Sequence, residues 1–159
     1  MAQLGMQLYK NNKLWYQVWL TELQHRMQQH DSLRHITING VHPGYVNSGI
    51  WNLNTYAPIR ELIVKVLAYF YAIDNQQGSL AITHCATNPQ CGSNLNRQGV
   101  GSPEGLGGGR FFNRIWELEA MPHTKDRDCR LRVWRKVNDE LKLKEKGLLD
   151  VLGLEANDL

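Results

Sequence analysis

Tyr9 and Lys13 are the two residues of this chain whose types and spacing could carry proton chemistry. Four residues apart, they share one face of a helix, one turn from each other. An ammonium beside a phenol favours the phenolate, which brings the phenolic proton closer to exchange at neutral pH than its ordinary pKa of about 10 would allow. The same pair also reads as an exposed tyrosine at a helix start beside a solvated lysine, and the spacing alone does not separate the two. A second stretch, His42-Pro43-Gly44-Tyr45-Val46-Asn47-Ser48, puts a proline–glycine turn at the end of a β-branched run. In open α/β sheets, ligands bind outside the carboxyl ends of strands, at turns of this kind.

These residues need elements to hold them. Leu14, Trp15, Val18, Trp19, Leu20 and Leu23 recur at helical spacing, which predicts a helix through Tyr9 and Lys13 that fades over Gln24 to Gln29. His35 to Val41, rich in β-branched residues, predicts the strand that delivers the turn. Leu62 to Ile73 is strongly apolar, with Lys65 inside it, and is too short to span a bilayer. A buried core helix is the expectation there, with a membrane-surface anchor as the alternative.

Composition narrows the function classes. The 159 residues carry a net charge of +3, too small to argue for nucleic acid. Lys125, Arg127, Arg130, Arg132, Arg135 and Lys136 cluster near the end of the chain, diluted by Asp126, Asp128, Asp139 and Glu140, and read as a solvated helix face. Cys85, Cys91 and Cys129 lack paired spacing, and His84 beside Cys85 reads as packing, so no metal site is expected. An odd cysteine count without a signal peptide suits a reducing, cytoplasmic setting.

The Tyr-x-x-x-Lys helix, the run Ile-Thr-Ile-Asn-Gly-Val-His-Pro-Gly and the turn Pro-Gly-Tyr-Val-Asn-Ser together resemble the C-terminal half of a short-chain dehydrogenase/reductase. The wording is most similar to the retinol-dehydrogenase-like and WW-domain-oxidoreductase-like branch. Within that resemblance, Gln76 to Pro89 is similar to a late helix, Gly109 to Phe112 to the last strand, and Asp128 to Leu141 to the closing helix. The fold implied is α/β, the C-terminal portion of a Rossmann-type doubly wound parallel sheet with two strands and several helices. Residues 1–143 form that domain, with a flexible glycine-rich loop over 90–108, and 144–159 are a tail.

The resemblance also implies roles. Tyr9 is the general acid/base, and Lys13 eases loss of its proton and hydrogen-bonds the nicotinamide ribose. Pro43 and Gly44 shape the turn, while the Val46 backbone and the Ser48 hydroxyl hold the nicotinamide carboxamide. The cofactor is NADP or NAD, the substrate a small apolar alcohol or carbonyl compound, and the complete enzyme a homodimer. Two positions depart from the family wording: Asn12 stands for a serine, and Ser48 for a threonine whose methyl would stiffen its rotamer.

Only Met1 to Leu8 precede Tyr9, so the glycine-rich βαβ half that binds the dinucleotide is expected to be missing. Gly101 to Gly107 spells Gly-x-x-x-Gly-x-Gly, but a polar run precedes it and Pro103 sits inside it. A phosphate-binding turn needs a buried strand before it and a helix N-terminus after it, so this stretch reads as a loop. The expectation is an oxidoreductase inactive as it stands; the alternative is a non-catalytic product that pairs with full-length relatives.

Overall fold

The computed structural model describes residues 2–47, 58–92 and 108–147. Helix α1 (Ala2–Gln29) leads to strand β1 (Gly40–His42), helices α2 (Pro58–Tyr71) and α3 (Asn75–Thr87), and a 3-10 turn at Pro89–Cys91. Strands β2 (Phe111–Asn113) and β3 (Trp116–Leu118) and helices α4 (Pro122–Lys125) and α5 (Arg127–Leu141) follow. β1 runs parallel to β2, with Gly40 opposite Phe111; β2 runs antiparallel to β3, with Phe111 opposite Leu118. The fold is α/β, with a small mixed sheet in the order β1-β2-β3.

Several expectations change here. The sheet has a third strand and an antiparallel pair, where the sequence predicts two strands. β1 begins at Gly40, so Ile36 to Asn39 lie outside it. Helix α1 does not fade at Gln24; it continues to Gln29 with Gln24, Arg26 and Met27 buried.

The continuation has a polar cause. Gln17, Thr21 and Gln24 form a stripe at helical spacing, all buried, with Thr21 and Gln24 fully so. The Gln24 amide donates from Nε2 to the Ile36 carbonyl at 3.2 Å, and its Oε1 accepts from the Ile38 N–H. A side-chain amide thus serves as a strand partner for the segment leading into β1, and its own polar atoms are satisfied in doing so. The Ile38 carbonyl is taken by the Gly109 N–H at 2.7 Å. Glycines let this stripe lie close to the backbone: a Cβ on Gly40 would overlap Gln17, and one on Gly108 would overlap Gln24.

The opposite side of α1 packs on α4 and α5. Trp19 stacks on Trp134 with centroids 6.0 Å apart, flanked by Leu23 and Leu143. Beside them Glu22 is buried between two guanidinium groups. It accepts from Arg26 Nε at 2.9 Å and from Arg130 Nε at 3.1 Å. Arg130 also donates to the Thr124 and Lys125 carbonyls, at 2.8 and 3.1 Å, closing α4 onto α5. The Arg26 guanidinium lies 4.8 Å from the Trp134 ring. Arg130 is therefore no part of a solvated basic face, because its charge is matched by a carboxylate 108 residues earlier in the chain.

Removing one partner of a buried ion cluster leaves uncompensated charge, which costs about 3–5 kcal/mol. Glu22→Ala is expected to lose that much in urea denaturation. His25 gives a pH-dependent prediction. Burial lowers its pKa below 6.5, Arg130, Arg127 and Arg26 lower it further, and Glu22 opposes them. The unfolded chain then binds the extra proton first, so this contribution is complete above about pH 6.5 and is lost as pH falls through the folded value. The urea midpoint of the wild type should drop more between pH 7.5 and 5.5 than that of His25→Gln; parallel profiles would remove His25 from the account.

Candidate functional site

Tyr9 and Lys13 do meet on α1. The Lys13 ammonium lies over the Tyr9 ring, 5.4 Å from its centroid. Contact with the ring face is a cation–π interaction, worth about 0.5–1 kcal/mol at an exposed site. The phenol is 57% exposed, and every side chain described between Gly5 and Lys13 is exposed as well. The pair is thus held by helical spacing and by its own attraction.

The turn after β1 is held from three sides. From the β2–β3 hairpin, the Arg114 N–H donates to the His42 carbonyl at 2.8 Å. From the segment after α2, Ile73 makes a parallel bridge, donating to the Tyr45 carbonyl at 2.8 Å and accepting from the Asn47 N–H at 2.9 Å. In such a bridge the N–H and C=O of Val46 itself face the other side of the strand. From α3, Gly78 packs so closely that a Cβ there would come within 2.8 Å of Val46 Cγ2 and 3.8 Å of Pro43 Cβ. Asp74 and Gln77 close a reciprocal capping box, which fixes the start of α3 beside this bridge.

Gly44 is the bend. Its φ is +94°, its N–H donates to His42 Nδ1 at 2.8 Å, and a Cβ would approach Arg114 Nε to 2.7 Å. Arg114 itself adopts φ 58°. Pro43, Gly44 and Val46 are therefore brought together at the carboxyl end of β1. Tyr9 and Lys13 contact each other on α1, and among the described residues neither side chain has a hydrogen bond or ion pair to the turn. Ser48 and Gly101 to Gly107 lie outside the described residues.

A second polar cluster lies on the other flank of β1. Asn39 donates from Nδ2 to the Cys91 carbonyl at 2.9 Å and accepts from the Arg110 N–H at 3.2 Å. Buried Arg110 donates to the Gln90 carbonyl at 2.6 Å and to Glu117 Oε2 at 3.0 Å. These contacts tie the 3-10 turn to both strands. Cys85 and Cys91 line a cleft of about 290 Å³ here with Thr37 and Val41. Burial, then the Cys91 side chain beside it, pushes the Cys85 thiol up to about 11, so it stays protonated at neutral pH and is a poor nucleophile. Among the described residues no three His, Cys, Asp or Glu side chains are grouped as metal ligands.

Sequence reasoning finds the turn but misses the residues that hold it. Ile73 and Gly78 lie far beyond Val46 in the chain, with the whole of α2 between, so no local pattern links them to it. Arg114 itself occupies the left-handed hairpin position, where a glycine or asparagine would flag the turn.

No family model matches the chain, and neither a curated protein nor a solved structure is significantly similar to it.

Gly44→Ala combines a left-handed backbone with a steric overlap, and is expected to lose about 1–3 kcal/mol. Arg114→Ala should remove the steric share but not the backbone share, so urea melts of the two single variants and the double variant should show coupling. Strict additivity would mean that Arg114 does not press on the turn.

Proposed function

We propose that this chain carries the proton-transfer and nicotinamide-holding part of a short-chain dehydrogenase/reductase oxidoreductase. The observation that carries the reading is the exposed Tyr9–Lys13 pair in contact on α1. It is supported by the glycine-bent turn at the carboxyl end of a strand in parallel pairing, where a ligand of an α/β sheet is received.

In this reading NADP or NAD, when bound, supplies or accepts the hydride at its nicotinamide ring. Tyr9 gives a proton to the oxygen of a carbonyl substrate, or takes one from an alcohol. Lys13 stabilises the phenolate that results and reaches the nicotinamide ribose. Pro43 and Gly44 keep side-chain bulk away from the cofactor, since Gly44 has no Cβ to present. The Val46 backbone and the Ser48 hydroxyl hold the nicotinamide carboxamide. The substrate class is a small apolar alcohol or carbonyl compound. The Rossmann-type sheet and the homodimer belong to this proposal too.

A second reading, a non-catalytic product that acts by pairing with other chains, is favoured by one observation. Most apolar side chains of α2, and Leu8 and Tyr16 on α1, face solvent.

The test has two parts. A ligand stabilises only a state that binds it, so NADPH or NADH at 100 times its Kd should stabilise the chain by about 2.7 kcal/mol. Loss of a general acid/base costs about 10²- to 10⁴-fold in rate, so in an enzyme completed by a dinucleotide-binding half Tyr9→Phe should lose most alcohol oxidation while keeping the cofactor-induced rise in Tm. If neither cofactor moves Tm, the non-catalytic reading takes its place.

A further inference from the structure

The buried core helix expected for Leu62 to Ile73 is corrected by the structure: Ala68 is buried, while Leu62, Ile63, Val66, Leu67 and Phe70 look outward. Nothing about that face names its occupant. The cleft between α3 and β1 is more specific, because it holds two thiols that proton and hydride transfer leave unused.

Cys85 lies in the last turn of α3, and Cys91 closes the 3-10 turn six residues later. Hydrogen bonds fold the chain back between them. The Asn88 N–H donates to the His84 carbonyl at 2.9 Å and ends the helix, and the Asn88 carbonyl accepts from the Cys91 N–H at 2.9 Å. The Asn88 side chain also accepts from the Gln90 N–H at 2.9 Å. From the sheet, Asn39 and Arg110 grip the Cys91 and Gln90 carbonyls. Cys85 and Cys91 thereby line one cleft with Ile82 and Ala86, and a hydrogen bond joins their side chains.

We propose that Cys85 and Cys91 form a redox modification site, joined as an intramolecular disulfide by glutathione disulfide. Access sets the order of events. Cys85 is half-buried at the cleft, whereas Cys91 is 3% exposed. The Cys85 thiol gives its proton to solvent, and its sulfur attacks the oxidant's S–S bond, releasing one glutathione. The Cys91 thiol then gives up its proton, and its sulfur attacks Cys85 in the mixed disulfide, releasing the second. Two protein thiols lose two electrons and two protons, and one glutathione disulfide becomes two glutathione thiols.

The environment makes the bridge slow to form and slow to break. Burial, then Cys91, pushes the Cys85 thiol up to about 11, while Asn39 and Arg110 oppose them. Attack through the thiolate is therefore slow at neutral pH. In the bridge the same sulfur is a poor leaving group, and the reduced pair gains no stabilisation from an ionised thiol. Such a pair suits a lasting change of state rather than turnover. The bridge locks the turn that Asn39 and Arg110 grip, and so acts on the entry to β1. The proposal does not depend on the oxidoreductase reading.

The test incubates the 159-residue chain with glutathione disulfide, blocks the remaining free thiols, and weighs the tryptic peptide 66–97, which carries Cys85 and Cys91 but not Cys129. A pH of about 8.5 raises the thiolate fraction. The wild-type peptide should be unblocked and about 2 Da lighter than its reduced form. In Cys91→Ser the reaction should stop at a mixed disulfide on Cys85, about 305 Da heavier. In a fixed mixture of reduced and oxidised glutathione, urea should lower the bridged fraction of the wild type by about tenfold or more, because the folded geometry holds the sulfurs together. A wild-type peptide that stays fully blocked, or that gathers the heavier adduct in place of the bridge, overturns the proposal. So does a bridge that forms as readily in urea, since chain proximity alone then joins the sulfurs. A Cys91→Ser peptide without the adduct overturns the assignment of Cys85 as the sulfur that meets the oxidant.

Discussion

The side-chain amide of Gln24 is the interaction on which this fold depends. Strands of three residues make few ladder bonds, and the segment that feeds β1 has no neighbouring strand at Ile36 to Ile38 among the described residues. Gln24 supplies both a donor and an acceptor there, from a fully buried position. Without it, the part-buried Ile36 carbonyl and Ile38 N–H would lose this partner, at no more than about 1–3 kcal/mol each. Because Gln24 sits on a helix, it also sets the register between α1 and the sheet. The turn with Pro43, Gly44 and Val46 inherits its position from that register.

Glu22 does the corresponding work on the other side of α1. Its two oxygens take one arginine from its own helix and one from α5, and Arg130 carries the bond onward to the carbonyls of α4. Apolar contact between Trp19 and Trp134 supplies area but little direction. The ion cluster supplies direction. Helix α1 is thus a polar strut, oriented by an amide on one side and a carboxylate on the other, with an indole pair sealing the gap.

This explains what can be read from the residues and what cannot. The first part of α1, the turn at Pro43 and the helix around Trp134 are visible because each follows a periodic pattern or a turn chemistry that needs no knowledge of the fold. Gln17, Thr21 and Gln24 are invisible, since a polar stripe at helical spacing looks the same whether it meets water or backbone. Arg130 reads as a surface charge because its partner is remote in sequence. β3 escapes because a three-residue strand such as Trp116-Glu117-Leu118 has too few alternations to register. For α2 the error runs the other way: apolar content predicts burial only when another surface of the chain is there to cover it.

Helix α1 also has an uneven mechanical character. It is about 42 Å long. Contacts that bind it to the body begin only at Leu14 and Trp15, the indole lying under the Lys136 ammonium. The stretch before that point contains Gly5, Asn11 and Asn12, all weak helix formers, and its exposed side chains offer little packing to offset them. Its opening free energy is then set chiefly by helix–coil equilibrium, a small fraction of the global value. Amides around Tyr9 should exchange with solvent by local fraying, orders of magnitude faster than those around Thr21. The Tyr9–Lys13 pair is mounted on the end of the helix that costs least to unwind, and any partner that rests on this end would stiffen the pair simply by suppressing that fraying.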